Sequence, residues 1–205
     1  HEGLTGVKPI RPVLALLLAA LASLLIPARA GAKPSGGESA TGIIPEGTPP
    51  DTPDSELPSA SVRMATPDYF RAMNIPVKRG TLYTGREPRG ASEAVVLVSE
   101  SAAKAWWPGQ DPIGKRVRMD WFGMFDARVV GVVGDVRSLG LDSLPRPTTY
   151  WSPSQFRAIS TMTYALRLAP GITGVEQAVR RAVAEVEPTL PVAELKTMEV
   201  TLAES

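Results

Sequence analysis

The sequence has no cysteine. Disulfides, thiolate nucleophiles and cysteine-ligated zinc are therefore excluded. It has one histidine, His1, at the very end of the chain. A terminal imidazole does not supply the buried base of a serine triad, nor a set of metal ligands. Charge of one sign is lacking too: 22 Lys and Arg stand against 21 Asp and Glu, a net charge of +1. Nothing in that balance draws nucleic acid or an anionic lipid surface. A long apolar run is also missing. The longest, Val13 to Ile26, falls short of the roughly 20 residues of a spanning helix and has the length of a signal-peptide core. The first residue is not Met, so an excised fragment or a processed product is expected.

What is present looks globular. Hydrophobic residues make up 43% and charged residues 21% of 205 positions, enough for one ordinary domain or two small ones. With 20 Pro and 18 Gly, loops are expected to be long or numerous. Lys8 and Arg11 precede the apolar run, and Ala28-Arg29-Ala30 and Ala30-Gly31-Ala32 follow it, both fitting an A-x-A cleavage site. Residues 1–32 therefore read as a signal peptide or short anchor. A buried helix is one alternative, although a helix apolar all round needs cover on every side. An error of gene prediction is another. Residues 33–58 read as a Pro/Gly-rich linker with one short strand near Thr41 to Ile44.

Beyond the linker the elements become clear. Ser59 to Ala65 predicts a strand. Thr66-Pro67-Asp68 starts a helix, with Thr as N-cap, Pro in the first turn and Asp at the positive helix end. Ala94 to Val98 predicts a strand, and Ser99 caps a helix that runs through Trp107 and stops at Pro108-Gly109. Strands follow at Ile113 to Met119 and Arg128 to Val136, the latter buried on both faces in its Val-rich centre. Met162 to Leu168 alternates with period two. From Gly174 to Glu187, Val175, Ala178, Val179, Ala182, Val183 and Val186 form one helical stripe, opened by a Thr173/Glu176 capping box. Val192 to Leu195 reads as a further strand.

Candidate chemistry is sparse. Gly109-Gln110-Asp111-Pro112-Ile113-Gly114-Lys115-Arg116 superficially matches a phosphate-binding loop. Arg116 stands where Ser or Thr must hold magnesium, and Pro112 removes an N–H. The stretch also follows a helix and opens a strand, the reverse of the order such a loop requires. Gly131-Val132-Val133-Gly134-Asp135 lacks the full G-x-G-x-x-G and lies in a strand, where glycine permits a bulge or a close backbone approach. Asp135 and Arg137 share a strand face and are expected to pair with each other or with neighbours. Glu93, Glu100, Asp111, Asp126, Asp135 and Asp142 form neither an acid–base pair nor a metal cage. No catalytic, cofactor-binding or metal site is predicted. Trp106 and Trp107 are the candidate partner-contact residues, weighed against the ordinary reading of a Trp at a helix end as core.

The ordered set Thr66-Pro67-Asp68-Tyr69-Phe70-Arg71-Ala72-Met73-Asn74-Ile75-Pro76, Lys78-Arg79-Gly80, Trp107-Pro108-Gly109 through Asp111-Pro112-Ile113-Gly114-Lys115-Arg116, and Val129-Val130-Gly131-Val132-Val133-Gly134-Asp135-Val136-Arg137 resembles the MacB-like periplasmic core domain of ABC transporter permeases, the FtsX-like permease family. Pro145-Arg146-Pro147 and the stretch from Val179 through Pro188 to Pro191-Val192 extend the resemblance, which runs from about Gly42 to the end. It implies an α+β periplasmic domain in two parts. A porter-like βαβ part of sheet and helix would comprise residues 59–77 plus 147–205, and a mostly β part, residues 78–146, would be inserted in it.

The resemblance also implies a function. The domain would be non-catalytic, would face the periplasm or cell exterior from a bacterial cell membrane, and would transmit conformational change in efflux or lipoprotein release. Implied partners are a cytoplasmic ATPase subunit or domain, reached through membrane helices absent here, a periplasmic adaptor and a homodimer mate in the full permease. No cofactor and no nucleic acid are implied. Val13 to Ile26 stands where the family carries its first strand–helix unit, and the chain stops about where a membrane helix would begin. A permease fragment, a truncated reading frame and a stand-alone exported relative all fit. A secreted binding module cleaved near Ala30 or Ala32 is the alternative function.

Overall fold

A computed structural model describes residues 29–33, 40–88, 93–120, 124–136, 144–156, 163–169, 172–186, 188–189, 191–192 and 194–203. The Val13 to Ile26 run lies outside them. The chain divides into two compact units, residues 30–165 and residues 1–29 with 166–205. Among the described residues no helix is long and apolar enough to cross a membrane.

The larger unit is built on one mixed sheet. Its strands are β2 (Ala40–Pro45), β3 (Ser59–Met64), β4 (Val77–Gly80), β5 (Ala94–Ser99), β6 (Arg116–Asp120), β7 (Met124–Val133) and β8 (Thr148–Trp151). They lie in the order β4-β7-β5-β8-β3-β2-β6, and β6 also pairs with β7. That last pairing closes six strands into a barrel, with β4 continuing along β7 beyond the end of β6. Closure leaves those six strands without a free edge over the paired stretch. β1 (Arg29–Lys33) and β9 (Thr163–Arg167) form a separate two-stranded sheet.

Alternation sorts side chains to the two faces of the barrel wall. Inside lie Ile43, Ala60, Val62, Val96, Val98, Val117, Met119, Ala127, Val129 and Trp151, plugged by Ala102 and Trp107. Each large apolar side chain buried this way contributes about 1.5–3 kcal/mol. Charged Arg116 and Arg118 alternate with Val117 and Met119 on β6, so the pattern itself fixes which face is wet. β7 carries a bulge: Val96 faces Val129 but Leu97 faces Gly131, so Val130 is the extra residue. The Val-rich centre of this strand is buried on both faces, as its composition predicts.

Outside the barrel, α1 (Pro67–Ala72) covers a second cluster of Tyr69, Phe70, Tyr83, Leu97, Val133 and Tyr150. Phe70 meets Tyr69, Tyr83 and Tyr150 edge to face, at ring separations of 5.6, 6.3 and 5.1 Å. The Thr66 side chain makes no capping bond, while Pro67 opens the helix as expected. The helix ends in a Schellman motif. Asn74 takes φ 56°, its N–H reaches Arg71 O, and Ile75 N–H reaches Phe70 O at 2.8 Å. The Met73-Asn74-Ile75-Pro76 stretch is thus a helix stop that turns Ile75 back onto the aromatic cluster.

α2 (Glu100–Trp106) is capped as predicted: Ser99 Oγ accepts from Ala102 N–H at 3.2 Å. Several expectations shift. The strand expected over Ile113 to Met119 starts only at Arg116, because Ile113 and Gly114 form a turn. The strand expected over Arg128 to Val136 is Met124–Val133. Asp135 therefore lies past its end and accepts from Ser101 N–H at 2.9 Å, a second cap on α2, while Arg137 lies outside the described residues. The short strand expected near Thr41 to Ile44 is found as β2, held between β3 and β6. Strands from 59–77, 78–146 and 147–205 share one sheet: β3 pairs β8 in parallel and β8 pairs β5 antiparallel.

In the smaller unit, α3 (Val175–Val186) carries the predicted stripe, with Val179 and Ala182 buried. Glu176 accepts from Arg180 at 3.0 Å, an i,i+4 pair rather than the capping-box contact expected of it. Val192 is not in a strand; its carbonyl accepts from Arg180 Nη1, and residues 194–197 are irregular. α4 (Met198–Ala203), which the sequence reading did not include, follows.

Candidate functional site

The two tryptophans sit where α2 ends. Trp106 is its last residue, and Trp107 leaves helical geometry at φ −135°. That departure separates them. Trp107 is 3% exposed, fills the mouth of the barrel and donates from Nε1 to Glu46 O at 2.9 Å. Trp106 stands perpendicular to it, 5.7 Å between ring centroids, on the wall of a cleft of about 440 Å³. Its Nε1–H is buried without a hydrogen-bond partner. Much of the rest of the wall comes from the β2 exit (Pro45 to Thr48), Pro58, Gln110, Lys115 and Pro147.

The turn from Pro108 to Arg116 forms one side of this cleft, and five of its amides are engaged within the fold. Gln110 N–H donates to Trp107 O, Ile113 N–H to Asp111 Oδ1, Gly114 N–H to Val129 O, Lys115 N–H to Pro112 O and Arg116 N–H to Glu46 Oε2. A phosphate cradle needs these groups convergent and free. The turn instead joins α2 to β6 and ties both to β2 through Glu46.

The carboxylates the sequence offers are likewise in structural pairs. Glu93 bridges Arg116 and Arg128, each at 2.9 Å, across a register pair of β6 and β7 that would otherwise set two cations side by side. Glu100 meets Lys104 at 2.9 Å, and the hydrogen bond and charge of that lysine hold its carboxyl below the usual range. Asp126 pairs with Arg118 at 3.3 Å. Asp142 lies outside the described residues. Among the described residues no three His, Asp or Glu side chains converge as a metal site.

Two polar groups missed by sequence reading hold loops on the barrel. Gln155 uses its amide as a strand would, accepting from Val95 N–H at 2.7 Å and donating to Val95 O at 3.0 Å. Glu87 accepts from Thr84 N–H and Oγ1 and from Ser154 Oγ. Burial alone would raise its carboxyl, but hydrogen bonds from Ser152, Thr84 and the backbone outweigh it, and the net shift is downward. The residue types alone gave no signal for either.

Solved structures of transporter domains share this fold. The periplasmic region of MacB from Actinobacillus actinomycetemcomitans matches with a TM-score of 0.53 at 20% identity, over 77% of this chain and 66% of that one. The chain thus spans just under two thirds of that region. The extracellular domain of the noncanonic ABC-type transporter YknZ from Gram-positive bacteria matches with a TM-score of 0.52 at 11% identity, over 86% of this chain and 84% of that one. No curated protein matches the sequence. The family match begins inside the Val13 to Ile26 run rather than near Gly42. Covering residues 17–187, it places the chain in the family of MacB-like periplasmic core domains.

Proposed function

We propose that this chain is the non-catalytic extracytoplasmic domain of a MacB/FtsX-type ABC permease, and that it relays conformational change and meets a periplasmic partner or substrate at the Trp106 cleft. The observation that carries this reading is the closed barrel with its acidic side chains in structural pairs, in a member of this family. A barrel closed by β6–β7 moves as one body, which suits a relay between membrane helices and an outer partner. The ATPase, the adaptor and a second permease copy are partners of the whole transporter in this reading.

Intact mass and membrane fractionation of the native gene product test it. A membrane-held species longer than 205 residues is expected. Hydrolysis of ATP or of a simple ester by the purified chain would sink the non-catalytic part. The A-x-A sites keep the secreted-module reading in view, which predicts a soluble species starting near Gly31 or Lys33. Both cleavage points fall within β1, so that reading requires the mature protein to lose part of this strand.

A further inference from the structure

The outer face of the barrel beside α1 holds a cation without a counter-ion. Val62 points into the barrel, so Arg63, next along β3, points out. Arg63 lies in register with Tyr150 on β8, whose ring meets Phe70 of α1 at 5.1 Å. Tyr69 of α1 belongs to the same aromatic cluster. The Arg63 side chain is half-buried, yet its guanidinium makes no hydrogen bond or ion pair among the described residues. Arg86, Arg146 and Arg181 also lack one, but they are exposed to water.

The tyrosines of the cluster differ in the same way. Tyr83 donates to Ala65 O at 2.6 Å. The hydroxyls of Tyr69 and Tyr150 have no partner among the described residues, although these residues are only 2% and 1% exposed. Among the described residues Trp106 Nε1 is the one side-chain polar atom buried without a partner, so both hydroxyls reach the surface. Burial raises both above their usual 10.0, with Tyr69 adding to the rise in Tyr150, while the Arg63 charge pulls both down. The neighbouring carboxylates are held elsewhere. Asp68 pairs with Arg71 at 2.7 Å, and Asp135, whose charge reaches Tyr150, accepts from Ser101 N–H at 2.9 Å.

Charge and donor inventory select the guest. A guanidinium has five N–H donors and no acceptor, and a cation drawn partly out of water gains most from an anion. A neutral amide could accept one of its bonds but leaves the charge uncompensated. A carboxylate takes the guanidinium fork with both oxygens and keeps lone pairs for neighbouring hydroxyls. We infer that Arg63, Tyr69 and Tyr150 form a seat for a carboxylate, either an acidic side chain of a partner protein or a small organic acid, with Arg63 pairing its charge and the two hydroxyls donating to it. The inference stands apart from the Trp106 cleft and from the permease reading.

The test is isothermal titration calorimetry of the 205-residue chain with hexaglutamate, hexaglutamine and glutarate at physiological ionic strength. Hexaglutamate is expected to bind and hexaglutamine is not. Glutarate matching hexaglutamate assigns the seat to small organic acids, and hexaglutamate binding more tightly assigns it to an acidic peptide. Arg63→Gln should weaken the carboxylate ligand about tenfold or more. The double variant Tyr69→Phe, Tyr150→Phe removes hydroxyls that bond nothing in the free protein, and should weaken it about threefold or more. Arg181→Gln, an exposed arginine on α3, should leave the affinity unchanged. No carboxylate binding, equal binding of hexaglutamine, an affinity unchanged by Arg63→Gln, or the same loss in Arg181→Gln overturns the inference.

Discussion

Gly131→Ala is the most direct test of the barrel. Gly131 sits opposite Gly80 where β4 runs along β7. A Cβ at Gly131 would lie 2.3 Å from Thr81 O and 2.9 Å from Leu97 Cδ2. Real Cβ contacts essentially never fall below 3.0 Å, so the Thr81 backbone must retreat by about 0.7 Å or β7 must bend. Either movement strains the Thr81 N–H bond to Val130 O, now 3.0 Å. Overpacking of this kind costs about 1–3 kcal/mol. The alanine returns about 0.4–1 kcal/mol by stiffening the unfolded chain. A net loss of about 1.3 kcal/mol in urea unfolding is expected, or about 3–5 °C in Tm for a chain of this size. Gly80→Ala should cost more. Its Cβ would meet Val130 O at 2.2 Å, and its φ of +66° adds about 1–2 kcal/mol for any L side chain. A Gly131→Ala protein within about 0.5 kcal/mol of the parent, or a Gly80→Ala protein more stable than Gly131→Ala, would refute the close approach of β4 and β7.

Other perturbations probe the loops and the two clusters. Trp107→Phe removes the Nε1–H bond to Glu46 O and leaves a gap at the barrel mouth, so a loss of about 2 kcal/mol is expected in the same urea assay. Tyr83→Phe frees the Ala65 carbonyl that now accepts at 2.6 Å and should cost about 1–2 kcal/mol. Burial, then the Glu87 and Tyr150 charges, push the Tyr83 hydroxyl well above its usual 10.0; its stabilisation is therefore complete below pH 10 and declines above it, and Tyr83→Phe should flatten the alkaline limb of a stability profile. Glu87 shifts the opposite way, so its contribution is complete above the ordinary carboxyl value of 4.5 and fades as pH falls through its lower folded value; Glu87→Gln should flatten the acid limb.

Local chemistry made several elements readable. The α1 start at Pro67, the Ser99 cap and the α3 stripe depend on neighbours within about one turn, and each appears where its residues predict. Barrel closure was not readable in this way. It depends on β6 pairing with both β2 and β7, and Ile43 opposite Met119 is a contact between residues that no local pattern links. The short strand expected near Thr41 to Ile44 is β2, but its Pro- and Gly-rich flanks gave no sign that it is a core strand with Ile43 fully buried. Val192 looked like a strand residue by type, but it follows Pro191 and gives its carbonyl to Arg180.

The tryptophan pair shows most clearly where a periodic reading stops. Extending the helix through Trp107 would place the two rings 100° apart on one cylinder. The chain leaves the helix at Trp107 instead, and Gly109 at φ 72° completes the turn. One backbone change thus sends one indole into the barrel with its N–H satisfied, and leaves the other on the wall of the cleft with its N–H unmet. Pro108 and Gly109 force that change, so the Trp-Pro-Gly sequence is what makes adjacent residues of one type differ in role. Trp107 ties α2 to the β2 exit, which fixes the cleft's floor. Trp106 then stands against that neighbour on one side and lines the cleft on the other. An indole N–H buried without an acceptor adds nothing to the fold, so what Trp106 contributes there is its apolar ring against Trp107.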